Sequence, residues 1–542
     1  MNKLLRILVG RKNLSYFNFI THNKKEFKDR NLNTSGQILI EYNAFQSYHI
    51  PISYFSNHLK KKLNAEIYAF FNYSILVSPL EISFLQTLRW NLANFLSLKN
   101  FRIYKSFGTK KIFRPQINFN QKRKAQNKFN KIKKNIYNKE DVLNIEIENI
   151  RIGDLLYDTY LKKFMKPTLD LNDKKFEVML FDFCKLFYFW KDYIENNNIK
   201  AIVGVHTSYA YGLILRIGIH KNIKTYAVSI RKINRLSKKM KYIAGEFFNF
   251  PEIFKKISLD VKAKGLESAR QKLDKRFQGI AGVEADLISS EISSFSKVFM
   301  ESKIEQNHKV KILISPHDFF DAVHSKGDIL FPDFYEWMLF LGEMSNVTNY
   351  DWYIKNRPNF SGKFQKFQPY TNYTINNLLK KFKKIKRLPN NYSHNQIIKE
   401  KINFVFTCYG SVGTEYPLFN IPVVNASRNN PHHRYNFNIN PKSIEELKTI
   451  ILNLPNINCS INKNEIYEHY FLKHIYITKN WIIENLKEYL EYVGGWSGQN
   501  SFKVYEYWLS KINNKKRNQI FKSIENFINS DEDAITIEHL DH

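Results

Sequence analysis

The residues of this chain best suited to chemistry lie in short polar segments set after apolar runs. Residues 407–426, TCYGSVGTEYPLFNIPVVNA, hold Gly410, Ser411 and Glu415. Glycine lets a backbone approach a ligand closely. The free N–H groups at a helix start suit a phosphate, and Ser411 would add a hydroxyl. Glu415, one turn further on, has two acceptor oxygens for a ribose hydroxyl pair. The same residues also fit an ordinary strand–helix turn capped by Ser411. Residues 350–359, YDWYIKNRPN, supply Lys355 and Arg357. Arginine binds phosphate bidentately, though these cations also fit an exposed strand end. A third segment runs from Ser315 through His317 and Asp318 to His324. Its spacing matches no compact metal-ligand pattern, so no metal is expected. His317 and Asp318 read instead as contacts to a nucleotide or sugar.

Two further residues are candidates for proton transfer. Asp154 and His206 each follow an apparent strand end. Either type can take a proton from an attacking hydroxyl, and Asp154 is the first choice. Asp154 also fits a turn or cap residue, and His206 a satisfied loop histidine. Asn429-Asn-Pro-His-His433 follows a later strand and by position would line a sugar pocket.

Such segments meet one ligand only if they leave the carboxyl ends of parallel strands. The apolar rhythm predicts those strands. Residues 201–205 and 223–228 flank a helix over 209–219, a compact βαβ unit. Residues 310–314, 350–354, 403–407 and 421–425 repeat the strand signal. Pro332 suits a first helical turn, and Ser443 with Glu446 forms a capping box. Phe176, Leu180, Phe183, Phe187 and Trp190 mark a core helix over 174–195. Strands alternating with helices twice over predict an α/β fold of two doubly wound, Rossmann-like lobes with a cleft between them. The expected division is an N-terminal region, 1–146; an acceptor lobe, 147–305; a nucleotide-sugar lobe, 306–464; and C-terminal helices with an acidic tail, 465–542.

Composition sets the outer bounds. A chain of 542 residues, 43% of them hydrophobic, can bury two or three cores. The formal charge of +33 favours acidic partners. An AT-rich genome, whose codons favour Lys, Asn, Ile, Tyr and Phe, would also produce much of that excess. Residues 101–140 carry thirteen Lys or Arg and one acid. They read as a solvated, partly mobile arm able to touch an anionic membrane or an acidic glycan. The last thirteen residues read as a frayed acidic tail. Three scattered cysteines form no CxxC pair, which suits a reducing cytoplasm. The start lacks a long apolar leader, and the charge-free run 67–80 is too short to span a bilayer. A cytoplasmic location, with optional peripheral attachment to the inner face of the membrane, is the expectation. No RNP-type, helix-turn-helix or zinc-finger pattern appears, so nucleic acid is not an expected partner.

The pattern Gly-Ser-x-Gly-x-Glu-x-Pro-x-x-x-x-Pro-Val-Val, residues 410–424, resembles the donor-binding segment of GT-B glycosyltransferases. It is most similar to capsule and lipopolysaccharide biosynthesis proteins of the Kdo-transferase type. That resemblance implies transfer of a sugar from a nucleotide donor to a glycan or lipid-linked glycan acceptor. It implies Ser411 at the phosphate, Glu415 at the ribose, and a base in the first lobe. It implies no bound cofactor or metal, and a CMP-ulosonic acid as one donor. Arg357 stands where those proteins often carry the His of a Lys-x-His-Pro motif. Arginine keeps phosphate binding and loses proton shuttling. Three other readings stay open: a CDP-polyol phosphotransferase of the teichoic-acid type, a basic nucleic-acid-binding protein, and an inactive lobe pair acting as an assembly partner.

Overall fold

The structure is a computed structural model that describes residues 14–27, 35–243, 249–280, 293–357, 367–477 and 480–540. The chain divides into two compact units.

The first unit comprises Met1–Thr159, Asn172–Ile243 and Ile477–His542. Its sheet is built from β1 (Gln37–Tyr42), β2 (Glu66–Phe71), β3 (Thr109–Phe113), β6 (Ile199–Gly204), β7 (Lys224–Val228) and β8 (Ile233–Leu236). They lie in the order β3-β2-β1-β6-β7-β8. All pairings are parallel except β7 with β8. A two-stranded antiparallel ribbon, β4 (Glu146–Ile147) and β5 (Ile150–Arg151), stands apart from this sheet. Residues 1–146, read from sequence as a separate region, supply β1 to β3. β1 escapes a search for alternation because it is central in the parallel sheet and buried along nearly its whole length, and β3 because it is a short edge strand with Lys110 and Lys111 exposed.

The basic stretch is ordered, contrary to the mobile arm expected at 101–140. It contains β3 and the helix Phe119–Lys133, opened by a capping box of Asn118 and Gln121. That helix packs on Lys174–Glu195 through buried Ala125 and a Phe129–Phe181 ring contact. Lys124–Asp192 at 3.3 Å and Lys133–Glu177 at 2.8 Å add ion pairs. The acidic tail is likewise docked. The Arg235 N–H donates to the Asp533 carbonyl at 2.8 Å, the Ile535 N–H to the Ile233 carbonyl at 2.9 Å, and Ile535 is buried. Edge strand β8 thereby acquires a partner for its open hydrogen-bonding groups.

The second unit comprises Tyr160–Leu171 and Ala244–Tyr476. Its sheet is wholly parallel, in the order β11-β10-β9-β12-β13. The strands are β9 (Lys311–Ile314), β10 (Asp351–Ile354), β11 (Ile385–Arg387), β12 (Phe404–Thr407) and β13 (Val423–Asn425). Leu313, Tyr353, Val405 and Val423 pack with Tyr392, Ile397 and Tyr416 in its core. The helices Phe250–Lys256 and Leu259–Phe277, which fall within the acceptor lobe expected at 147–305, belong instead to this unit. Both sheets therefore share one winding: two strands step outward from a central strand, and the next strand of the sheet starts on its other side. The fold is α/β with two doubly wound, Rossmann-like sheets. Among the described residues no helix is long and apolar enough to cross a membrane.

Candidate functional site

In a doubly wound sheet the crevice opens where the winding reverses, beyond the strands' carboxyl ends. In the second unit that point lies between β9 and β12. Ile314 pairs with Ile354 on one side and Phe406 on the other. Ser315, Lys355 and Thr407 therefore follow side by side at the sheet's carboxyl edge, with the Ser315 N–H bonded to the Phe406 carbonyl at 2.8 Å. Three of the sequence-derived segments converge here.

His317 spans the switch point. Its ring lies 4.8 Å from that of Phe334 and 4.6 Å from that of Tyr409. Burial, with Arg357 and Lys326 nearby, holds its pKa well below the usual imidazole range, so it is neutral. Its Nε2 accepts from the Tyr409 N–H at 3.3 Å and lies 3.2 Å from Thr407 Oγ1. Thr407 Oγ1 in turn accepts from the Gly410 N–H at 3.1 Å. A Cβ at position 410 would stand 2.8 Å from Thr407 Oγ1, so the turn needs glycine. Ser411 is exposed at the head of one α turn, Val412–Glu415, followed by a 3₁₀ turn to Phe419.

Beside the crevice a cleft is lined by Pro316, His317, Asp318, Asn356, Arg357 and Thr371. Arg357 is exposed, and its Nη1 lies 3.9 Å from Asp318 Oδ2. The Thr371 hydroxyl donates to Asp318 Oδ1 at 3.1 Å. Burial raises the Asp318 pKa from its ordinary value, against the opposing pull of Arg357. Pro358 and Asn359 lie outside the described residues.

Behind this cleft is a buried charge cluster. Lys355 is almost fully buried, and desolvation pulls its pKa down to about 8, with Glu415 opposing the fall. Its Nζ is 3.4 Å from His394 Nε2, and His394 Nδ1 is 2.6 Å from the Tyr416 hydroxyl. Glu415 Oε1 accepts from Arg276 Nε at 2.8 Å and Nη2 at 2.5 Å. The carboxylate expected at a ribose is thus held by a guanidinium from the helix Leu259–Phe277. Arg276 and His394 carry no motif that sequence reading could seize. Of the 429–433 segment, His432 is buried, its Nε2 lying 3.1 Å from Thr414 Oγ1.

In the first unit, Gly153 and Asp154 open the helix Gly153–Phe164. The strand before them belongs to the ribbon, so Asp154 does not stand at the carboxyl edge of the parallel sheet. Its carboxylate is buried and bidentate to Arg216, both contacts at 2.5 Å, and it accepts from the Tyr242 hydroxyl at 3.0 Å. Oxygens so committed are poor proton acceptors. His206 does follow β6 and is exposed, its ring stacked 6.0 Å from Tyr211.

Glu41 was not singled out by sequence. It is the penultimate residue of β1, at the first unit's own switch point between β1 and β6. It accepts from the Val205 N–H at 3.0 Å, Asn72 at 3.2 Å and Asn43 at 3.1 Å. Full burial raises its pKa to about 7, against the opposing pull of these bonds. The folded state then holds this proton where an unfolded chain has released it. Glu41 should therefore contribute a loss of stability as pH rises from about 4.5 to about 7, totalling about 3 kcal/mol. Buried His49, lowered to about 4, acts oppositely and destabilises as pH falls below about 6.5. Glu41→Gln should remove only the first term. Denaturation midpoints of both proteins from pH 5 to 8 would show it, and parallel profiles would refute the assignment.

No protein-family model and no curated protein matches the sequence. Among solved structures, the UDP-GlcNAc 2-epimerase from Neisseria meningitidis bound to UDP-GlcNAc is 11% identical. The match covers 88% of this chain and all of that one, with a TM-score of 0.22. MurG from Acinetobacter baumannii is 9% identical over 90% and 99% of the two chains, TM-score 0.18. Anabaena Alr3699/HepE in complex with UDP and glucose is 10% identical over 81% and 93%, TM-score 0.21. Superpositions this loose carry no residue roles across.

Proposed function

We propose that this protein is a glycosyltransferase whose second unit binds a nucleotide-activated sugar, acting in the assembly of a surface polysaccharide such as capsule or lipopolysaccharide. The observation that supports it is the convergence of Ser315–Asp318, Lys355–Arg357 and Gly410–Ser411 at one switch point, with the exposed Arg357 guanidinium at a small cleft that Asp318 and Asn356 also line. Arg357 and Ser411 take the phosphate charge. Lys355 adds positive potential from below. Asp318 faces the sugar or ribose hydroxyls. Glu415, held by Arg276, fixes the turn at Gly410–Ser411 instead of reading a ribose. In the first unit, exposed His206 is the candidate base, a residue type able to take the proton of an attacking acceptor hydroxyl; in the second unit, Arg357 holds the charge of the departing nucleotide phosphate. Asp154 supports the fold around Arg216. A CMP-ulosonic acid is the donor favoured by the resemblance at residues 410–424, since a cationic cleft suits its carboxylate.

Calorimetric titration with CMP, UDP, GDP and CDP-glycerol tests this reading. One nucleotide should bind, and Arg357→Ala should weaken it about 10- to 100-fold, the value of a charge-assisted phosphate contact of about 1.5–3 kcal/mol. Binding unchanged in the variant, or no binding by any of the four, would sink the proposal. Binding of CDP-glycerol alone would favour the polyol-phosphate reaction instead.

A further inference from the structure

The helix Phe84–Phe95 of the first unit contains no buried residue. Its start is fixed by a capping box of Ser83 and Gln86, so it is a formed helix with little tertiary cover. At 100° per residue, Phe84, Leu85, Leu88, Leu92, Phe95 and the following Leu96 fall within about 120° of one face. All six are exposed, Phe84 at 80% and Phe95 at 81%. The opposite side anchors the helix. The Trp90 ring lies 4.8 Å from Phe101 and 5.3 Å from Phe71, and Asn94 donates to the Ile112 carbonyl at 2.9 Å. The apolar stripe of a surface helix normally faces its own core. Here Trp90 points inward and the leucine–phenylalanine stripe points away. A contiguous apolar face of this kind marks an interaction surface.

Charge selects the occupant. From Ile82 to Lys139 the sequence holds fifteen Lys or Arg and no acid. Arg89 lies on the helix, and Lys99, Lys105, Lys110 and Lys111 follow closely in sequence, all exposed. Lys105 Nζ donates to the Asn94 carbonyl and to Ser97 Oγ, which fixes one of these cations at the helix end. An anionic bilayer offers an apolar interior beneath a negative surface, matching stripe and lysines together.

We propose that the helix Phe84–Phe95 lies in the surface of an anionic lipid bilayer, with Phe84, Leu85, Leu88, Leu92 and Phe95 in the acyl region and the neighbouring lysines on the headgroups. The inference is independent of the nucleotide-binding reading. It assigns the apolar contact to a segment that precedes the basic stretch and is distinct from it.

Flotation of the full-length protein with two vesicle types tests it: phosphatidylcholine alone, and phosphatidylcholine with about one third phosphatidylglycerol. The protein should float only with the anionic vesicles, less so as salt rises. The triple variant Leu88→Ser, Leu92→Ser, Phe95→Ser should lose at least about tenfold in binding. Its circular dichroism and melting midpoint should match the parent, because the three side chains are exposed. Equal binding by the variant, or no binding by the parent at low salt, would overturn the proposal. So would lipid-free self-association of the parent that the triple substitution abolishes, which would assign the face to a second copy of this chain.

Discussion

Asp154→Ala should unfold the first unit more readily, by about 3–5 kcal/mol, without acting as a selective catalytic lesion. The substitution leaves the fully buried Arg216 guanidinium without its bidentate carboxylate. An uncompensated buried charge costs that much, whereas replacing both members by apolar residues is close to neutral. The melting midpoint should fall on the order of 10 °C. The double variant Asp154→Leu, Arg216→Met should recover most of the loss, because it removes the stranded charge. Turnover of Asp154→Ala at a temperature where it stays folded should be near that of the parent. A variant as stable as the parent but devoid of turnover would return Asp154 to the role of base.

Glu415→Ala should carry a comparable penalty in the second unit, again about 3–5 kcal/mol. Two buried cations depend on this carboxylate. Arg276 donates to it twice, and Lys355 is kept from falling further below its already lowered value. Removing it exposes each cation to the desolvation that Glu415 offsets. Arg276→Met with Glu415→Leu should restore much of the stability, and the double-mutant cycle gives the coupling directly. Nucleotide affinity per folded molecule should change far less than stability. A large affinity loss at unchanged stability would show that Glu415 touches the ligand.

The two pairs also explain which parts of the site were legible. The polar segments after β9, β10 and β12 announce themselves, because a ligand loop breaks an apolar run with residues that packing does not require. The partners of those residues do not. Arg276 lies 139 positions before Glu415 and Arg216 lies 62 after Asp154, and neither arginine belongs to a local pattern. An acid that reads as a base or a ribose contact becomes an ion-pair member only when a distant helix brings its guanidinium. Glu41 is hidden for a related reason. It is one acid in a strand, and its environment is made by Asn72 and Val205 from two other strand ends.

The sequence alone determined that strands and helices alternate, that the sheets are doubly wound, and that segments around residues 315, 355 and 410 share one sheet edge. Those properties follow from local periodicity and turn chemistry, which act over a few residues. Only the tertiary structure decided that residues 37–113 complete the first sheet, that the basic stretch is strand and helix, and that Asp154 and Glu415 are bound by arginines. It also decided that the stripe from Phe84 to Leu96 faces outward. Each of these depends on burial and pairing between residues far apart in the chain, and charge or apolarity alone does not say what will lie beside it.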